Sequence, residues 1–254
     1  MKLANLNSHE RDKNIVFDEE PHVYYIKEKA YSLSVTSFIH EFFEKFDSKG
    51  IIEKFYDRWQ DNESSKYYGM SPEEILDSWE ENRVKQAQLG TDLHNAIELF
   101  YNDKKYTNNS KEFSYFLDFN DEHSHLKAHR TEWNIYCEEL EIAGSVDMVY
   151  EDNGVFHIYD WKRSKEIKEQ NRYQEGKYPL SHLPDTNFWH YALQLNVYKA
   201  ILEKYYGKKI DDLCLVVLHP NNSSYIKIKV PELKEEVEAM FKIREESLKN
   251  KIIV

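Results

Sequence analysis

The stretch Glu141–Lys162, E-I-A-G-S-V-D-M-V-Y-E-D-N-G-V-F-H-I-Y-D-W-K, reads as two β-strands joined by a tight turn. Ile142, Val146, Met148 and Tyr150 are apolar positions of the first run, and Val155, Ile158, Tyr159 and Trp161 of the second. Asp152-Asn153-Gly154 between them is a hairpin signal, because Asn-Gly tolerates the positive φ angles that two-residue turns require. Side chains alternate along a strand, so Asp160 and Lys162 share a face. Asp147, on the neighbouring strand, reaches the same patch if the register is right. Two carboxylates and an amine on one patch are costly for a fold but useful for chemistry. Hard oxygen ligands hold Mg²⁺ or Mn²⁺, and a lysine beside them orients a water or helps to deprotonate it. D-x-K by itself also describes the charged outer face of an ordinary hairpin. The rest of the chain bears on that choice.

The 254 residues suffice for one sizeable core with an inserted subdomain. Seven glycines and six prolines against 31% charged and 15% aromatic residues suit a helix-rich α+β or α/β protein and argue against disorder. Cys137 and Cys214 are too few for a disulfide framework or a four-thiolate cluster. No apolar run is long enough to span a membrane, and the N-terminus has neither a signal core nor a transit-peptide composition. The expectation is a soluble intracellular protein, in the cytoplasm or in a host cell if viral. The net charge of −12 argues against broad, non-specific nucleic-acid binding. Locally, however, Lys162, Arg163, Lys165, Lys168, Arg172 and Lys177 follow the carboxylate patch, a run suited to a phosphate backbone.

Taken in order, residues 15–26 read as a small hairpin turning at Glu19-Glu20-Pro21. A helix starts after Ser32-Leu33-Ser34 and runs through Phe38, Ile39, Phe42, Phe43 and Phe46; Gly50 is expected to break it before a second helix through Trp59. These helices mix aromatics with Lys45, Lys49, Lys54 and Arg58, a pattern of core-packed amphipathic helices that can also stack bases and hold phosphates. Ser71-Pro72-Glu73-Glu74 opens the longest helix with an N-cap serine, a proline at the first position and a glutamate at the third. It runs towards Phe100, with a kink expected at Gly90, and places His94 and Glu98 on one face. A helix over 111–127, a strand through Thr131–Cys137, the hairpin, a helix over 189–206, strands at 213–218 and 225–230, and a helix over 232–249 complete the order. That order predicts an α+β (α/β) fold with a central mixed β-sheet flanked by helices.

Glu132, Gly144-x-x-Asp147, Asp160-x-Lys162 and Gln194-x-x-x-Tyr198, with Gly90-x-x-x-His94 upstream, occur in a telling order. Together with Y-S-L-S-V-T-S, G-T-D-L-H-N-A, D-W-K-R-S and A-L-Q-L-N-V-Y, they resemble the RecB-type branch of the PD-(D/E)xK nuclease superfamily from about Tyr31 to Phe241. The nearest group is the mitochondrial genome maintenance exonucleases and their viral and phage relatives. The resemblance implies a restriction-endonuclease-like core over 90–254 and an N-terminal hairpin and helical arch or lid over 1–89, with residues 36–60 as the arch. It implies Asp147 and Asp160 as metal ligands, joined by the Trp161 carbonyl and His94. Glu132 would be an auxiliary carboxylate and Lys162 would position the attacking water. Gln194 and Tyr198 would line the site. Arg163, Ser164, Lys165, Lys168 and Arg172, with Lys54 and Arg58, would contact DNA. The cofactor would be Mg²⁺ or Mn²⁺. Many relatives carry an iron–sulfur cluster on four cysteines; this chain has two, so none is expected. No Gly-rich phosphate loop with Lys-Ser/Thr is present, so a helicase, polymerase or recombination partner would be a separate chain.

The implied activity is metal-dependent phosphodiester hydrolysis on single-stranded DNA ends, in replication, repair or recombination. The alternatives are a flap- or junction-specific endonuclease, a nuclease fold retained to bind DNA without turnover, and an interaction protein whose hairpin charges are surface only.

Overall fold

The computed structural model describes residues 1–31 and 33–252, so Ser32 of the expected helix start lies outside it. Two compact units divide the chain, Met1–Glu44 with Leu93–Val254, and Lys45–Asp92.

In the first unit, after a short helix α1 (Lys2–Leu6), strands β1 (Ile15–Asp18), β2 (Val23–Ile26) and β3 (Lys29–Tyr31) form an antiparallel sheet. Ile15, Tyr24, Ile26 and Tyr31 pack with Tyr136 and Ala143 of the main sheet. Helix α2 (Val35–His40) is capped by the Ser34 hydroxyl, which accepts from the Ser37 amide at 3.0 Å. It is shorter than expected, and it buries Val35, Phe38 and Ile39 with the following Phe42 and Phe43. In the first half of the expected arch, Phe38, Ile39, Phe42 and Phe43 are buried, whereas Thr36, Ser37, His40, Glu41 and Glu44 are exposed. The N-terminal hairpin also belongs with the sheet rather than with a separate region ending near residue 89. The reason is non-local: the Ala143 amide donates to the Leu33 carbonyl at 3.3 Å, beside a bridge between Ser34 and Ala143.

The second unit holds α3 (Ser48–Gln60) and the first part of α4 (Pro72–Tyr101), whose last turns from Leu93 belong to the first unit. Gly50 does not break a helix; it sits inside the first turn of α3. There the Asp47 carboxylate accepts from the Gly50 amide at 2.9 Å, and a Cβ at residue 50 would lie 2.2 Å from that carboxylate. The glycine makes room for its own cap. Ser71 and Glu74 close the capping box reciprocally, at 3.2 and 2.7 Å. Helix α4 continues unbroken through Gly90.

Helix α5 (Lys111–Glu122) leads into strands β4 (Lys127–Cys137), β5 (Ile142–Asp152) and β6 (Val155–Lys162), an antiparallel meander. Asn153 and Gly154 take φ values of 51° and 82°, so the turn forms as its residues demand. Helix α6 (Asn187–Tyr206) ends on Gly207 at φ 61° and crosses to β7 (Ile210–Val217), which pairs parallel with β6. Strand β8 (Ile226–Lys229) completes a sheet ordered β4-β5-β6-β7-β8 among the described residues, and α7 (Lys234–Ile252) follows. One face of the sheet carries Trp133, Val146, Val149, Ile158, Leu213 and Leu215 against residues of α2, α6 and α7. The other carries Met148, Tyr150, Tyr159, Trp161, Cys214 and Val216 against α5 and the end of α4. This is the mixed sheet flanked by helices that the element order predicts.

His129 gives this core an acid-sensitive point. Its ring lies between Trp133 and Phe156, 6% exposed, with Nδ1 3.3 Å from a Glu151 carboxylate oxygen but no well-formed hydrogen bond to either nitrogen among the described residues. Burial, then Lys208 and Arg130, push its pKa down to about 4 against the pull of Glu151. Above the ordinary value near 6.5 the ring is neutral folded or unfolded and adds no pH dependence. Below it, the unfolded chain takes up a proton that the folded chain refuses until about pH 4, so stability falls across that window. His129→Phe removes one proton's worth of that slope. Denaturant midpoints at pH 7, 5.5 and 4.5 measure it, and equal slopes for the two proteins would discard the assignment.

Candidate active site

Sheet geometry gathers the charged groups where the strands change faces. Val146 packs on the α6 face of the sheet, whereas Met148 and Tyr150, of the same parity, pack on the α5 face. Asp147 sits at the crossing. Directly across, Trp133 pairs with Val146 and Thr131 with Met148, and the intervening Glu132 takes φ 42°. A non-glycine residue rarely adopts that conformation, and the strain is stored next to four ionisable groups. The β5–β6 ladder ends at Met148↔Tyr159, so Asp147 and Asp160 lie just beyond its last pair.

Two clusters result. In the first, one His94 nitrogen and one oxygen each from Glu132 and Asp147 all lie within 4.8 Å of one another. His94 Nε2 donates to the Trp161 carbonyl at 2.8 Å, which turns Nδ1 towards Glu132 at 3.4 Å and Asp147 at 3.6 Å. Ser145 donates to the other Glu132 oxygen at 3.0 Å, and the Trp161 amide donates to Asp147 at 2.9 Å. In the second cluster Lys162 Nζ stands 2.7 Å from Asp160, donates to the Gln194 carbonyl at 3.3 Å, and lies 4.4 Å from the Tyr191 ring centre. Gln194 Nε2 donates in turn to Tyr198 at 3.1 Å and to Thr36 at 3.2 Å.

Charge states follow from this crowding. Burial alone would lower His94, but Asp147 and Glu132 outweigh it and raise its pKa to about 9. Burial raises Asp147, with His94 opposing and Glu132 reinforcing. Burial and then Asp147 lift Asp160 to about 6, against Lys162 and His94. Lys162 goes up: burial lowers it, and Asp160 and Asp147 more than compensate. Asp160 is 1% exposed, and neither of its oxygens makes a well-formed hydrogen bond among the described residues. Its one ionic partner among the described residues is the Lys162 ammonium, 2.7 Å away. Carboxylates, a carbonyl and one imidazole are a donor set suited to a hard divalent ion, and the residues fit one. A second group, His157, Asp211 and Asp212, already has a cation, since Lys229 Nζ lies 2.5 Å from Asp212.

A family model for the PD-(D/E)XK nuclease superfamily matches residues 37–251. The chain belongs to that superfamily. Membership implies a metal-dependent nuclease that hydrolyses the phosphodiesters of a nucleic acid. No curated protein matches the chain. The solved structure described as "Crystal structure of SSO0001" is 15% identical, covers 96% of this chain and 81% of its own, and superposes with a TM-score of 0.36. A likeness that slight carries no argument.

Within this superfamily member the site residues expected from sequence separate into those brought together and those that are not. His94, Glu132, Asp147 and Trp161 make up the first cluster and Asp160, Lys162, Gln194 and Tyr198 the second, the two adjoining along the Asp160-Trp161-Lys162 backbone. Arg163 does not face solvent: its guanidinium is held by Glu112 at 2.6 Å, both side chains 9% exposed. Ser164 donates to the Glu166 carbonyl, whereas Lys165, Lys168 and Arg172 are exposed on the segment after β6. Lys54 and Arg58 are exposed on α3, in the other unit. Sequence reasoning missed Ser145, Tyr191 and Tyr24, whose phenol is pushed up by burial and by the Glu132 and Asp147 charges. Tyr191 had a signal: it lies three and seven residues before Gln194 and Tyr198, on the same helix face. Ser145 and Tyr24 had none, because strand pairing alone brings them in.

Proposed function

We propose that the protein is a deoxyribonuclease of the RecB-type branch, an exonuclease acting on single-stranded DNA ends in replication, repair or recombination. The observation that carries the nuclease part is a His–Glu–Asp donor cluster adjoining the Asp160–Lys162 pair. Asp147, Asp160 and the Trp161 carbonyl, with Glu132 as auxiliary, would hold Mg²⁺ or Mn²⁺, and His94 would join them once Nδ1 gives up the proton that faces Glu132 and Asp147. The bound ion supplies an activated water and offsets charge on the phosphate. Lys162, held between Asp160 and Gln194, would position the attacking water and place positive charge beside the reacting phosphate. Gln194 fixes the ammonium, and Tyr198 and Thr36 fix Gln194. Glu132 and Asp147 hold the His94 ring by Nδ1.

For the substrate, the exposed Lys165, Lys168 and Arg172 leave the site along one segment, and Lys54 and Arg58 add positive charge on α3. Residues 36–60 are the candidate for a threading arch. Unwinding or strand supply would fall to a separate helicase, polymerase or recombination protein. With Mg²⁺ or Mn²⁺, end-labelled linear single strands are expected to be degraded while circular single strands survive. Cutting of the circle would replace the exonuclease with an endonuclease. Loss of all cleavage on DNA and RNA by folded protein would leave a DNA-holding module.

A further inference from the structure

A cavity of about 300 Å³ opens beside Lys162, lined by Thr36, His40, Asn187, His190, Tyr191 and Gln194 among others. It shares its wall with the catalytic network: Gln194 and Lys162 line it, and the same Lys162 ammonium pairs with Asp160. Its far side is built on purpose-like contacts that the catalytic network does not use. His190 Nε2 donates to the Asp185 carboxylate at 2.9 Å, which sets the imidazole's orientation. The His190 ring lies 4.0 Å from Phe43 and 5.4 Å from His40, so an aromatic layer backs it. Asp185 is itself pinned, because Asn171 donates to its carbonyl at 2.8 Å and its amide donates to the Gln174 carbonyl at 3.0 Å. The Asn187 amide is committed to the Glu166 carbonyl at 2.8 Å, which anchors the basic segment at the cavity's edge.

The chemistry of the wall selects among ligands. Flat rings from Tyr191, His40 and His190 offer stacking surface. The Thr36 hydroxyl and the His190 Nδ1 offer hydrogen bonds. Burial and then His40 lower the His190 pKa against Asp185, so the ring is neutral near pH 7 and presents no second cation. A pocket for a bare phosphate would concentrate fixed positive charge. This one has a single permanent cation, Lys162, and that at the catalytic end. The volume stands at the small end of ligand pockets, room for a single nucleotide unit and not for a duplex.

We infer that this cavity receives the base and sugar of the one nucleotide adjoining the scissile phosphate, with His190, positioned by Asp185, as a specificity-determining residue. The inference rests on the nuclease reading and deepens it: one unpaired nucleotide seated against Lys162 places its phosphate at the carboxylates. It makes the enzyme sensitive to a missing base at one position next to the cut, and insensitive at positions farther along.

Two measurements on the full chain separate this inference from the nuclease reading. The first follows the His40 and His190 ring proton resonances with Mg²⁺ present, assigned through His40→Gln and His190→Gln. Deoxyadenosine monophosphate is expected to shift both, whereas inorganic phosphate and deoxyribose 5-phosphate leave them in place. No shift with the nucleotide, or an equal shift with inorganic phosphate, overturns the base-and-sugar subsite. The second compares cleavage of oligonucleotides with a single abasic unit moved along the strand. In the wild type, one position adjoining the cut is expected to lower kcat/KM by roughly 10- to 100-fold, the scale of one base contact. His190→Ala and Asp185→Asn are expected to shrink that ratio towards one, with thermal melting checking that each is folded. An abasic unit tolerated everywhere by the wild type, or a ratio unchanged in both variants, overturns the inference. Shifted resonances with no cleavage of any substrate would instead retain the subsite and discard the nuclease.

Discussion

Asp160→Asn is expected to lose metal-dependent cleavage by about 10³-fold or more, the scale of removing one charge-stabilising group from a desolvated site. The side chain is fully buried, its pKa is lifted to about 6, and its only ionic partner is Lys162 at 2.7 Å among the described residues. Asparagine keeps the volume and an oxygen facing Lys162 but removes the anionic ligand. Two readouts belong together. Cleavage of labelled DNA with Mn²⁺ reports the chemistry, and the rise in melting temperature on adding Mn²⁺ reports the ion. A ligand at 100 times its dissociation constant stabilises the folded state by about 2.7 kcal/mol, and the variant should forfeit most of that shift. Wild-type turnover in the variant would sink the assignment of Asp160 to the reaction. Asp160→Ala is a poorer test: alanine would strand a buried ammonium, and removing one partner of a buried pair is costly. Asparagine is therefore the cleaner test.

Gly144→Ala is expected to destabilise the fold by about 1–3 kcal/mol, the cost of overpacking a dense core. A Cβ at residue 144 would lie 2.8 Å from Tyr198 Cε1 and 3.1 Å from Val35 Cγ2. Neither neighbour can retreat, because Val35 and Tyr198 are both enclosed in the core under α6. For a chain of this size the loss corresponds to roughly 2–4 °C of melting temperature per kcal/mol. Activity should fall further than stability alone explains, since a displaced Tyr198 releases Gln194, and Gln194 holds Lys162. Adding Tyr198→Leu opens the space, so the two stability losses should be strongly sub-additive. Simple additivity in the double-mutant cycle would show that the Gly144–Tyr198 approach is not what requires glycine.

The candidate site was partly legible because some of its spacing is local. Two residues apart on a strand put Asp160 and Lys162 on one face, and four apart on a helix did the same for Gln194 and Tyr198. Asn153-Gly154 and the Ser71 capping box were legible for the same reason, since their partners lie within a few residues. Gly50 was misread because a glycine within a helix and a glycine ending one look alike until the Asp47 carboxylate is placed over it. The Arg163–Glu112 pair was not legible, because that partner lies on α5, 51 residues away.

Periodicity, turn chemistry and caps, which depend on neighbouring residues, determined the order of elements, the hairpin and the residue types of the site. Which carboxylate would pair with Lys162, where the sheet would change faces, and that Glu132 would be held at φ 42° to permit it were decided only by tertiary structure. The parallel pairing of β6 with β7 and the division of the chain at Lys45 and Asp92 belong to the same class. The physical reason is common to all of them. A strand's register and a buried charge's partner are set by packing and desolvation against segments far along the chain, and no window of sequence contains both sides of that balance.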